Sequence, residues 1–129
     1  HIEDNPLVGR CVFVHAGLAA DGSADGEEQL QRLQSRDARQ QQPEALFGRV
    51  GVLHSPPQMT RRETTVISGH HGKVLFKTNR IILDSCCGMD ENPLAALILP
   101  ETLLVYDTGV LEPRDPAVVF RGGRPEGGH

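Results

Sequence analysis

Apolar residues recur along this chain in short blocks, most of them closed by Gly, Asn or Pro, and that pattern predicts strands rather than long helices. The first block, Cys11-Val12-Phe13-Val14, lies between Gly9 and Gly17, and its β-branched content predicts a buried strand ending at His15. Beyond Pro56-Pro57 the pattern repeats in Thr64-Thr65-Val66-Ile67, Val74-Leu75-Phe76, Ile81-Ile82-Leu83, Leu94 to Leu99 and Leu103 to Tyr106. Turn residues every few positions favour an antiparallel meander over parallel βαβ units.

One helix is expected near residues 27 to 41. Leu30 and Leu33 are the only large apolar residues between Glu27 and Gln42, so that helix buries a narrow stripe and frays. Ala19 to Gly26, small and acidic, reads as a loop. Leu46-Phe47, Val50, Val52 and Leu53 form a second apolar patch after Pro43. The expected class is α/β, of an α+β kind in this chain, with residues 1–107 folded and 108–129 an extended Pro/Gly-rich tail. Gly122 to His129 is read as disordered or draped on a partner.

At 129 residues the chain can bury one core without disulfides. With no Trp and one Tyr that core must be aliphatic. A net charge of -4 gives no electrostatic reason to expect nucleic acid or an anionic membrane surface as partner. No apolar run approaches the roughly 20 residues of a membrane span. Three cysteines, two of them adjacent, do not make the framework of a small secreted domain, so an intracellular, reducing compartment is expected.

Two histidines carry the candidate chemistry. His15 follows Val-Phe-Val and precedes Ala-Gly; His70 follows Val-Ile-Ser-Gly. A histidine at a strand end beside glycine can either cap its turn by hydrogen bonding or coordinate a metal at the rim of a sheet. Cys11 and His15 cannot share one zinc: four strand residues at about 3.3 Å each separate them by about 13 Å, whereas zinc ligands lie about 2.0–2.3 Å from the ion. That weighs against a small zinc-binding module. At least one of Cys86 and Cys87 is expected to be a buried structural thiol, since neighbours on a strand face opposite sides.

Four segments, spread over about residues 11 to 106 and in one order, resemble the calcineurin-like metallophosphoesterases, the family of bacterial serine/threonine phosphatases and symmetrical dinucleoside tetraphosphatases. Val12-Phe13-Val14-His15-Ala16-Gly17-Leu18 is similar to "VFVHAGL", and Val66-Ile67-Ser68-Gly69-His70 to "VVxGHT". The stretch from Asn79 to Gly88 resembles "NRINIDTGA", and Leu94 to Pro100 resembles "LTALVLP". The resemblance implies that residues 1–107 are the C-terminal half of the family's β-sandwich. It also implies that His15 and His70 bind one ion of a two-metal centre (Mn, Fe or Zn in the parent enzyme), of which this half alone need hold none. Such a centre activates water and clamps phosphoryl oxygens. Ala45-Leu46-Phe47-Gly48-Arg49 is similar to "LLWIR", which implies a substrate-phosphate contact for Arg49. His71 departs from the family's threonine and is expected to sit in solvent rather than on substrate.

The family's upstream motifs, "GDxHG", "GDxxDRG" and "GNHE", are absent from this sequence. The chain is therefore expected to be inactive by itself, its partner being the N-terminal half of the domain or a chain pairing its sheet edges. In a longer polypeptide it serves a phosphatase acting on phosphoproteins or dinucleoside polyphosphates. The alternative is a catalytically inactive, phosphatase-like scaffold subunit of a larger assembly.

Overall fold

Alternation of side chains across a pleated strand decides how this molecule divides its core. The computed structural model describes residues 1–5, 9–35, 39, 44–86, 95–98, 103–106 and 111–112. Strands form at the predicted apolar blocks: β2 (Gly9–Phe13), β3 (Thr65–Ser68), β4 (Val74–Lys77), β5 (Arg80–Leu83), β6 (Ala95–Ile98) and β7 (Leu103–Tyr106). Two more strands were not foreseen. β1 (Ile2–Asn5) pairs antiparallel with β2, and β8 (Leu111–Glu112), within the predicted tail, pairs with β7. The remainder of 108–129 lies outside the described residues.

The main sheet runs β1-β2-β3-β5-β4, and β6-β7-β8 form a second, antiparallel sheet. Cys11, Phe13, Ile67, Ile81 and Leu83 lie on one side of the main sheet, where Leu97 of β6 packs against them. Val12 and Val66 lie on the other, under Leu18, Leu30 and Met59. Each such aliphatic side chain contributes about 1.5–3 kcal/mol when fully buried. β3 is buried along its whole length, as befits the middle strand of five.

The expected antiparallel meander holds only in part. β2 pairs parallel with β3, and β3 parallel with β5; β1 runs antiparallel to β2 at one edge, and β4 turns back at the other, in a tight hairpin with β5. Parallel neighbours need a long crossover, and the segment between β2 and β3 supplies one, with helices α1 (Gly26–Ser35), α2 (Glu44–Phe47) and α3 (Pro57–Arg61). Local turn signals could not reveal this, because strand direction is set by where the long connection returns.

α1 covers the predicted helix to Ser35; residues 36–38 and 40–43 lie outside the described residues. The Asp25 carboxylate accepts from the Glu27 N–H at 2.7 Å, a side-chain cap, and Glu27 and Glu28 place negative charge at the positive end of the helix dipole. Gly26 packs closely on α3: a Cβ there would fall 2.6 Å from Met59 Cε and 2.9 Å from Met59 Cγ. Pro57 starts α3, where its missing N–H costs nothing. No helix among the described residues is long and apolar enough to cross a membrane.

Candidate functional site

Parallel pairing of β2 with β3 sends both chains out at the same edge of the sheet. Phe13 stands opposite Ile67, Val14 N–H donates to the Ile67 carbonyl, and Gly69 N–H donates to the His15 carbonyl at 3.0 Å. His15 and His70 therefore leave side by side at the carboxyl ends of parallel strands, where open α/β sheets bind ligands. Antiparallel pairing of those two strands would have placed them at opposite ends.

The two rings converge. His15 Nε2 lies 3.1 Å from His70 Nδ1 although 55 residues separate them, and the ring centroids are 4.8 Å apart at 53°. Two nitrogens that each sit about 2.0–2.1 Å from one ion are about 3 Å apart, so the spacing fits a shared cation; without one it is a hydrogen bond from one ring to the other. His70 adopts φ 69°, a left-handed conformation that costs a non-glycine residue about 1–3 kcal/mol and concentrates at functional sites. Its Nε2 is buried with no hydrogen-bond partner. Among the described residues no cluster of three or more His, Cys, Asp or Glu side chains converges.

Arg49, exposed after α2, reaches the same rim, and its Nη1 donates to the His70 carbonyl at 3.2 Å. His71 does not sit in solvent as expected. It is half-buried, and its Nε2–H donates to the Ala16 carbonyl at 2.7 Å, tying the turn after β3 to the loop after β2. Burial, foremost, lowers its pKa, and nearby Arg80 adds to the effect. Asp84 fastens the far side of the turn: Oδ2 accepts from Gly72 N–H at 2.7 Å and Oδ1 from Cys86 N–H at 3.0 Å. The Gly72 hydrogen bond is the main reason its pKa is lowered.

Cys11 lies in the core, and Cys86 lies against the turn after His71, where a Cβ on Gly72 would fall 3.1 Å from its Sγ. Cys11 is fully buried, and burial pushes its thiol up to about 11, so the free thiol stays protonated at neutral pH. Cys86 is half-buried, and Cys87 lies outside the described residues.

Sequence reasoning missed Arg80, Ser68 and Gln29. Gln29 is buried on α1 and pins the loop beyond His15: its Oε1 accepts from Ala19 N–H at 2.8 Å, while its Nε2 donates to the Ala19 and Ala24 carbonyls. Arg80 is 1% exposed at the start of β5. An arginine leading an Ile-Ile-Leu strand was the available signal, since a charge in such a block must either end the strand or be satisfied inside.

Compared with protein-family models the chain matches none, and among curated proteins no match is found.

Proposed function

We propose that this chain contributes half of a two-metal phosphoesterase centre, in which His15 and His70 hold one divalent cation and Arg49 binds phosphate. The observation that carries the reading is the 3.1 Å approach of His15 Nε2 to His70 Nδ1 at one sheet edge. A bound divalent ion lowers the pKa of coordinated water and offsets charge on phosphoryl oxygens.

The chain's own residues do the rest. Each neutral imidazole offers a ring lone pair. Arg49 carries five N–H donors in a planar fork. Its single bond to the His70 carbonyl steadies the fork and leaves capacity for a bidentate phosphate contact. The bridging carboxylate, the ligands of the other ion and the general acid would come from another segment, because the described residues hold no third convergent ligand. The reaction is attack of water on a phosphate mono- or diester, with phosphoproteins and dinucleoside polyphosphates as the substrate classes.

Titration of the 129-residue chain with Mn²⁺, followed by paramagnetic broadening of the histidine ring signals, tests the reading. One site broadening His15 and His70 together is expected, with affinity reduced at least about tenfold, about 1.4 kcal/mol, in His15→Ala and in His70→Ala. Undiminished affinity in both variants refutes the assignment. A chain that binds Mn²⁺ by this pair, in a gene product without phosphatase turnover, would instead mark the inactive scaffold.

A further inference from the structure

We propose that Arg80 is the positioning residue of the His15–His70 pair: one buried guanidinium holds together the three segments that carry His15, Arg49 and His70. The inference rests on the preceding reading for its functional meaning, and on geometry alone for the positioning itself.

Arg80 Nη2, with one of its two N–H groups shared, contacts the Ala16 carbonyl at 3.0 Å, the Val52 carbonyl at 3.0 Å and Ser68 Oγ at 2.8 Å. Ala16 directly follows His15, Ser68 stands two residues before His70, and Val52 three residues after Arg49. Nε adds a second bond to Val52 O at 3.3 Å, and Nη1 binds the Val66 and Ile81 carbonyls. The Ala16 carbonyl also accepts from His71, so a single oxygen between the two histidine loops takes both contacts.

Gly17 is part of the same device. A Cβ at that position would lie 2.7 Å from the Val52 carbonyl and 3.0 Å from Arg80 Nη2, so only glycine lets the loop close on the guanidinium. No carboxylate pairs with Arg80 among the described residues. Burying an uncompensated cation is costly, and packing alone would be served better by an apolar side chain. Burial lowers its pKa to about 10, which still leaves it charged at neutral pH. A planar fork with fixed donor angles sets distances among carbonyls that a flexible ammonium cannot reproduce.

The test uses the whole chain without metal, in wild type, Arg80→Lys and Ser68→Ala, with ¹⁵N-labelled histidine. Ring–ring nuclear Overhauser contact and ring tautomer pattern report the pair, and urea denaturation reports how much protein is folded. Wild type should show the His15–His70 contact, Ser68→Ala should weaken it at least twofold, and Arg80→Lys should abolish it in the folded protein. A merely structural role would lower the denaturation midpoint and leave the contact intact in both variants, which overturns the proposal. So would absence of the contact in wild type. If Arg80→Lys does not fold, Ser68→Ala alone decides in the same two directions. Subsequent Mn²⁺ addition separates the two readings: a wild type with the ring contact but without manganese broadening loses the metal assignment and keeps the positioning role.

Discussion

Phe13 and Ile67 face one another in parallel register, and that pairing fixes where the two imidazoles meet. The ladder continues past both strands through Gly69 N–H and the His15 carbonyl, so backbone hydrogen bonds carry the alignment to within one residue of His70. A histidine pair built this way needs no long side chain to span the gap. Its placement comes from the backbone ladder of the sheet.

Replacing Gly17 should be damaging out of proportion to its size. At φ +150°, with a Cβ landing 2.7 Å from the backbone oxygen of Val52, Gly17→Ala must shift either its own loop or the one that follows Arg49. Overpacking and backbone strain together should cost about 1–3 kcal/mol. Urea denaturation measures the loss, and a stability within about 0.5 kcal/mol of wild type would show that the loop is not clamped.

Stability should fall in acid through Glu27. Its hydrogen bond to Arg10, foremost, holds the carboxyl below its ordinary 4.5, and Arg62 adds to this at 3.3 Å. A depressed folded-state pKa means the stabilisation is complete above the unfolded value and is lost as pH falls through the lower folded value. The difference in denaturation midpoint between wild type and Glu27→Gln should therefore be constant above about pH 5.5 and shrink steadily below pH 4.5. A difference independent of pH down to pH 2.5 would mean that the pair contributes no charge-dependent stability.

Thr65 offers a gain. Its Oγ1 is buried in the central strand with no hydrogen-bond partner, and such a hydroxyl carries an uncompensated desolvation cost. Valine has the same shape without the hydroxyl, and β-branching suits the strand. Thr65→Val should raise stability by about 1 kcal/mol, seen as a higher urea midpoint with unchanged slope. A lower midpoint would reveal a partner for that oxygen.

Much of the architecture is legible in the residues themselves. Each of the predicted apolar blocks becomes a strand, because alternation of side chains is a local property that two or three neighbours suffice to express. The histidines stand at strand ends in the sequence and in the fold, and α1 begins beside its acidic loop as expected. Of the helix predicted over 27–41, the part to Ser35 is described, with Leu30 and Leu33 packed in the cluster around Met59.

Strand direction was not legible, and neither was anything that depends on it. Whether β2 and β3 run parallel is decided by the return of a long connection, which no turn residue announces. β1, four residues with Glu, Asp and Asn among them, becomes a strand only because β2 offers it an edge. Arg80 finds its acceptors on Val52, 28 residues back, and on Ala16, 64 residues back, and His71 leaves solvent for the same Ala16 carbonyl. By itself the sequence determined that its six apolar blocks form strands and that His15 and His70 stand just beyond strand ends, because those depend on local pattern. Only the tertiary structure decided that two imidazoles share one rim and that a buried guanidinium braces them, because hydrogen-bond geometry between distant segments exists only once the sheet has formed.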